Sequence, residues 1–150
     1  MYGYTGKILH ADLSSGEITV ENPPEGFYRK YLGGSAMGMH YILNQVRAGT
    51  DPLGAANVLT LMVGVPTGAA ISGQSRMSAN ALSPLTDGIG DGQCGGFFPA
   101  EMKFSGFDGA VITGQAKEPV YLWLHDGQAE IRPAGHLWGK TTAEAEDQIR

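Results

Sequence analysis

The sequence predicts an α+β fold: β-rich mixed sheets with short helices. Three observations carry this. Glycine supplies 23 of the 150 residues, about twice the usual share, which favours turns and close backbone approaches over a helical bundle. The strongest apolar run, Val58-Leu-Thr-Leu-Met-Val63, has the length of a buried strand rather than of a helix. Helix-compatible stretches are short and punctuated by Gly and Pro.

Taken in order, Lys7–Leu13 and Glu17–Glu21 flank Ser14-Ser15-Gly16, a hairpin signal with glycine closing a three-residue turn. Ile18 and Val20 alternate with Glu17, Thr19 and Glu21, so one face of the second strand is wet. His10 reads as a cross-strand surface residue. Pro23-Pro24 breaks the strand, and Glu25–Leu32 forms a short helix ended by Gly33-Gly34. A second helix is expected from Ala36 to Val46, burying Met37, Tyr41 and Leu43, or Ile42 and Val46; His40 sits on it as a structural residue. Gly49–Gly54 is a loop, Asn57–Val65 a buried strand, and Pro66-Thr67-Gly68 its end. Gly109–Gly114 is another short buried strand. Val120–Leu124 and Ala129–Arg132 flank an Asp126-Gly127 turn, a second hairpin in which Tyr121 and Trp123 are core or sheet-face aromatics. Two hairpins, each with short helices beside it, hint at internal duplication of a hairpin–helix unit. Thr141 with Glu144 makes a capping box, so a last helix runs from Ala143 to Arg150.

The length fits one domain with a real core. The net charge is −5 with both signs dispersed, and no basic run or basic–aromatic interleaving suggests nucleic acid. A single cysteine excludes an internal disulfide. The start lacks the basic and apolar regions of a signal peptide. No apolar run approaches the roughly 18 residues of a membrane span. The expected setting is cytoplasmic and reducing, without nucleic-acid or membrane partners.

The chemistry concentrates between Gly73 and Gly114. Met77–Leu82 is a strand preceded by Arg76 and stopped by Ser83-Pro84. From Asp87 to Gly96 every second or third residue is glycine, which predicts a long loop whose backbone approaches a ligand closely. A helix is expected just after Gly96, with Pro99 in its first turn and Gly106 past its end. A glycine loop leading into a helix start suits a phosphate, and Arg76 adds a bidentate partner. The stretch is not a Walker loop, since no Gly-Lys-Ser/Thr follows. Gly90-Asp-Gly92-Gln-Cys-Gly95 fits the dinucleotide pattern but lacks its tight strand–turn–helix frame. Asp87, Asp91, Glu101 and Asp108 are the candidate acids, of which Glu101 and Asp108 are assigned to fixing the helix and the following turn. No Ser-His-Asp set is visible. Cys94 is expected to be a small buried residue, with redox reactivity or metal ligation as alternatives.

Several strings here resemble the N-terminal domain of the tungsten-dependent aldehyde:ferredoxin oxidoreductases. They are Ser83–Asp91, Gly95–Phe98 and Glu101–Gly109, together with Tyr4–Leu9, Asp12–Gly16, Tyr31–Gly34, Gly64–Gly68 and Pro119–Trp123. The similarity runs along essentially the whole chain. It implies that residues 1–150 are a tungstopterin-binding domain, incomplete at its C-terminal end. The cofactor implied is tungsten, or molybdenum, held by two pyranopterins whose phosphates are bridged by Mg2+. The helical domains that carry a [4Fe-4S] cluster would lie outside this chain, since Cys94 alone cannot ligate one.

By the same resemblance the cofactor-binding set is Arg76, Gln93, Cys94, Gly95 and Gly96. Arg76 and the Gly95 amide would meet phosphate, and the Gln93 backbone carbonyl would face magnesium; Gln93 stands where the family usually has Asn. No catalytic residue is expected in this chain. The implied reaction is oxidation of a small aldehyde to a carboxylic acid, with ferredoxin or another iron–sulfur carrier taking the electrons. Homo-oligomerisation is left open. The rivals are a subunit reducing aromatic acyl-CoA with the same cofactor, and a non-catalytic binding or scaffold domain. A flavin or nucleotide domain has only the glycines in its favour.

Overall fold

The computed structural model describes residues 3–149. At its centre is a six-stranded mixed sheet. In chain order its strands are β1 (Ile8–Asp12), β2 (Glu17–Glu21), β3 (Leu59–Val63), β4 (Met77–Leu82), β5 (Ile89–Cys94) and β6 (Gly109–Thr113). In space they run β2-β1-β6-β3-β4-β5. Only β1 and β6 are parallel, with Ile8 beside Gly109; every other pair in the sheet is antiparallel. A separate two-stranded ribbon is formed by β7 (Val120–His125) and β8 (Gln128–Pro133).

Each face of the sheet has its own apolar core. Helices α1 (Glu25–Tyr31) and α2 (Gly34–Gln45) cover one face, where Tyr28, Met37, Tyr41 and Ile42 pack on Ile8, Met62 and Val111. Helix α3 (Phe98–Phe104) and the ribbon flank the other, where Met102 and Phe107 pack on Leu9, Val63 and Met77, with Leu124 and Ala129 beside them. Strand β3 is therefore apolar on both sides. Helix α2 lies very close to the sheet: a Cβ at Gly38 would come to 2.5 Å from Thr60 Oγ1 and 2.6 Å from Asn80 Oδ1.

A buried ion pair joins two distant segments, residues 3–6 and residues 103–108. Asp108, 1% exposed at the entry to β6, accepts from Lys103 Nζ (2.8 Å), Thr5 N (2.9 Å), Thr5 Oγ1 (3.0 Å) and Gly6 N (2.7 Å). Lys103 Nζ also donates to the Gly3 carbonyl at 3.0 Å. Burial pushes the Asp108 carboxyl up, but Lys103 and the Thr5 and Gly6 amides outweigh it and hold the group below its ordinary value. Burial first, and then nearby Asp108, push the Tyr28 hydroxyl up.

Several expectations need adjusting. The predicted glycine loop is mostly a strand: β5 pairs with β4 through six residues, from Leu82↔Ile89 to Met77↔Cys94. Gly90 and Gly92 alternate with Ile89, Asp91 and Gln93, so Cys94 is the one side chain on their side of the strand and no pattern shows. Helix α2 starts two residues earlier than expected, and Leu43 is exposed while Gly38 is buried. The first turn has four residues, because Asp12 pairs with Glu17 and its carboxylate organises the bend by accepting from Ser14 N and Ser15 Oγ. The two hairpins are not equivalent, since β1–β2 joins the main sheet while β7–β8 stands apart.

The second turn is as expected: Asp126 and Gly127 both have positive φ, at 47° and 75°, matching the twist of a two-residue hairpin. Helix α4 (Thr142–Ile149) opens with the capping box, Thr141 N and Oγ1 donating to Glu144 Oε2 at 2.9 and 2.8 Å. Its expected last residue, Arg150, lies outside the described residues. His40 is structural, its ring against Tyr31 and Phe27, and His10 bonds across the hairpin to Glu21 at 2.8 Å.

Two stability effects are expected. Lys103→Met strands a buried carboxylate and should lower the unfolding free energy by about 3–5 kcal/mol at neutral pH, measured by denaturant titration. In the parent protein Asp108 has a depressed folded pKa. Its stabilisation is therefore full above the unfolded value of about 4 and is lost as the pH falls through the lower folded value. An Asp108→Asn variant should accordingly show a shallower loss of stability below about pH 4. Gly38→Ala should force α2 off the sheet and lower stability by about 1–3 kcal/mol, with no such change for Gly26→Ala at an exposed position of α1, where an added Cβ meets nothing within 4 Å.

Candidate anion-binding pocket

Pairing of Met77 with Cys94 closes the β4–β5 hairpin at the end away from its turn. It brings the segment entering β4 beside the segment leaving β5. Between them is a pocket of about 440 Å³, lined by Gly73, Gln74, Ser75, Arg76, Gly95, Gly96 and Phe97. Arg76 is the one charged residue among these lining residues. Among the described residues none gives its guanidinium an ion pair or a hydrogen bond. The other wall has no side chain at two successive positions. A Cβ at Gly95 would lie 3.3 Å from the Ser75 carbonyl oxygen and 3.8 Å from Arg76 Nη1. Gly96 adopts φ +78°, which a residue with a Cβ tolerates poorly.

The backbone of both walls is fixed. Thr67, 3% exposed in the turn after β3, donates through Oγ1 toward the carbonyls of Arg76 (3.0 Å) and Gln74 (3.2 Å). The Gln74 amide oxygen accepts from Gly68 N at 2.6 Å. Ser75 Oγ donates to the Gly96 carbonyl at 2.5 Å, linking the two walls. An unpartnered guanidinium facing a side-chain-free loop is suited to a phosphate or similar anion. The expected helix contribution is smaller than the sequence suggested. Helix α3 has seven residues, Phe97 at its cap is itself helical, and no side chain caps it. With so few aligned peptides, Arg76 and the loop carry the pocket's electrostatics.

Of the five cofactor-binding residues expected from sequence, Arg76, Gly95 and Gly96 come together in this pocket. Gln93 and Cys94 are the last residues of β5, opposite Ser78 and Met77, and neither lines it. Cys94 is exposed rather than buried, at the end of the edge strand β5. Ser75, Gln74 and Thr67 were missed. A contact from Thr67 across nine residues leaves no periodic trace in the sequence, and Ser75 is one serine among several.

The candidate acids do not converge. Asp108 is in the buried ion pair, Asp91 accepts from Ser35 Oγ at 2.8 Å, and Asp87 occupies a positive-φ turn position. Exposed Glu101 borders a larger, mostly apolar cleft of about 750 Å³ between α3 and β7, where Tyr121 and Trp123 also lie. Among the described residues no three His, Cys, Asp or Glu side chains gather as a metal site. Among the same residues no helix is long and apolar enough to cross a membrane.

Comparison with known proteins bears on the same stretch. Residues 8–150 match the family described as aldehyde ferredoxin oxidoreductase, N-terminal domain. A tungsten-containing aldehyde ferredoxin oxidoreductase of Thermococcus kodakarensis is 39% identical over 150 residues, all of this chain and 25% of that protein. The WOR-like subunit of an aliphatic sulfonate oxidoreductase of Pyrococcus furiosus is 33% identical over 142 residues, 93% of this chain and 22% of its own length. Among solved structures, the BamBC active-site complex of benzoyl coenzyme A reductase with 1,5-dienoyl-CoA superposes with a TM-score of 0.95 at 30% identity, covering 99% of this chain and 23% of that one. The chain thus spans about a quarter of the length of these relatives. Since the family match extends over nearly every residue, the chain belongs to the aldehyde ferredoxin oxidoreductase family and corresponds to its N-terminal domain.

Proposed function

We propose that this chain is the cofactor-cradling part of a tungsten- or molybdenum-pterin oxidoreductase. The observation that carries the reading is the unpartnered Arg76 facing Gly95 and Gly96 in a pocket of about 440 Å³. In this reading Arg76 and the loop from Gly95 hold the phosphate of a pyranopterin. The Gln93 carbonyl, two residues upstream, would be the chain's contribution to holding a magnesium ion, and Cys94 would stand beside the cofactor without ligating its metal. The adjoining sheet face suits a flat ligand. Beyond the Met77–Cys94 pair, Ala79 pairs with Gly92 and Ala81 with Gly90, so only small side chains project from that part of the hairpin.

The cofactor, when bound, supplies the two-electron chemistry that turns an aldehyde into a carboxylic acid. The chain supplies placement and charge compensation. Substrate contacts, a [4Fe-4S] cluster and the docking of ferredoxin belong to sequence beyond this quarter of the relatives' length. A soluble, cytoplasmic enzyme fits this reading. The likeness to benzoyl coenzyme A reductase supports a second reading, reduction of an aromatic acyl thioester with the same cradle. Turnover of simple aldehydes with ferredoxin, against turnover of an aryl-CoA, by the full-length protein separates the two.

Arg76→Gln in the full-length protein should reduce tungsten or molybdenum and pterin phosphorus per chain by about tenfold, the scale of a lost charged hydrogen bond. Elemental analysis of the purified protein, alongside its intact mass, measures this. Full metal and phosphorus content in the variant would sink the cradle assignment.

A further inference from the structure

We infer that Ser75 and Thr67 are positioning residues for this pocket, holding its two walls in the one arrangement in which Arg76 and the Gly95–Phe97 loop face the same anion. The inference rests on the reading of the pocket as a phosphate cradle.

Thr67 anchors the first wall. Its hydroxyl is buried and has one proton to give. The Arg76 and Gln74 carbonyls share it, at 3.0 and 3.2 Å. Gly64 N adds a longer contact to the Arg76 carbonyl at 3.4 Å, and Gln74 Oε1 takes Gly68 N at 2.6 Å. The turn after β3 is thus a template on which residues 74–76 lie. The backbone of Arg76 is fixed while its guanidinium stays unpartnered.

Ser75 acts on the second wall. A Gly-Gly segment has little steric resistance to a peptide flip. The carbonyl and the following N–H of one peptide point in opposite directions. A peptide free to flip would present either a repelling carbonyl or an attracting N–H to an anion. With the Gly96 carbonyl held by Ser75 Oγ at 2.5 Å, the peptide between Gly96 and Phe97 has a single orientation. Neither Ser75 nor Thr67 needs to touch the ligand to do this.

The test uses the full-length protein with Ser75→Ala, Ser75→Thr, Thr67→Val, Thr67→Ser and Arg76→Gln. Three quantities are read: metal and pterin phosphorus per chain as purified, the unfolding midpoint after cofactor removal, and the affinity of the cofactor-free protein for inorganic pyrophosphate by phosphorus NMR titration. Ser75→Ala should lower pyrophosphate affinity and cofactor content about threefold to tenfold, with the midpoint within about two degrees of the parent. Ser75→Thr and Thr67→Ser, which keep a hydroxyl, should restore both. If Ser75→Ala and Thr67→Val keep full affinity while Arg76→Gln loses it, the positioning role is wrong and the cradle stands. If Arg76→Gln also keeps it, the cradle itself is wrong. Affinity losses that only follow the midpoint, without rescue by the hydroxyl-bearing variants, would mark a purely structural role and overturn the inference.

Discussion

A buried carboxylate must find its hydrogen bonds inside the protein, and Asp108 does so by drawing two remote pieces of chain together. Its oxygens gather the amides of Thr5 and Gly6 and the ammonium of Lys103. The same residue donates its own N–H to the Lys7 carbonyl, just before β1 parallels β6. The edge of the central strand pair, the end of α3 and the N-terminal segment are therefore fixed by one group. Helix α3 in turn begins where the pocket loop ends, at Phe97. A charge pair in the core thus helps set the position of one wall of a surface pocket.

The sequence was most legible where local chemistry decides structure. The Asp126-Gly127 turn, the Thr141–Glu144 box, the Ser83-Pro84 stop and the Pro99 helix start are short-range signals, and each lies where it was expected. Legibility failed where tertiary contact overrides local pattern. Strand β5 has no hydrophobic alternation because two of its six positions are glycine and two more are Asp91 and Gln93, and only pairing with β4 makes it a strand. Gly38 reads as a weak point in a helix, yet it is the contact that lets α2 reach Thr60 and Asn80. Arg76 and the paired glycines of the candidate site were visible as residue types. Their supports Thr67 and Ser75 were not, because a hydroxyl bonded to a distant carbonyl has no signature in one dimension.

The site also shows how labour is divided along a longer chain. The chain provides a sheet and, at one end of its β4–β5 hairpin, a pocket in which Arg76 faces the successive glycines Gly95 and Gly96. Among the described residues no three His, Cys, Asp or Glu side chains gather, and buried Asp108 and Tyr41 are held by Lys103 and Glu21. Relatives with different named activities, on sulfonates or on coenzyme A thioesters, retain this domain at 30–33% identity.

The parallel β1–β6 pair has a consequence for how the chain is made. Ile8 lies beside Gly109, so β1 leaves the ribosome about a hundred residues before its neighbour exists. At roughly 5–20 residues per second, the first hairpin waits several seconds with one edge of β1 open. The pocket follows a different timetable, because both of its walls lie between Gly73 and Phe97 and its nearest template, the turn at Thr67, has already been synthesised. Its local contacts become available before the sheet around it closes. A nascent chain would therefore hold the residues of both pocket walls early, and complete its sheet only when β6 arrives to pair with β1 and β3.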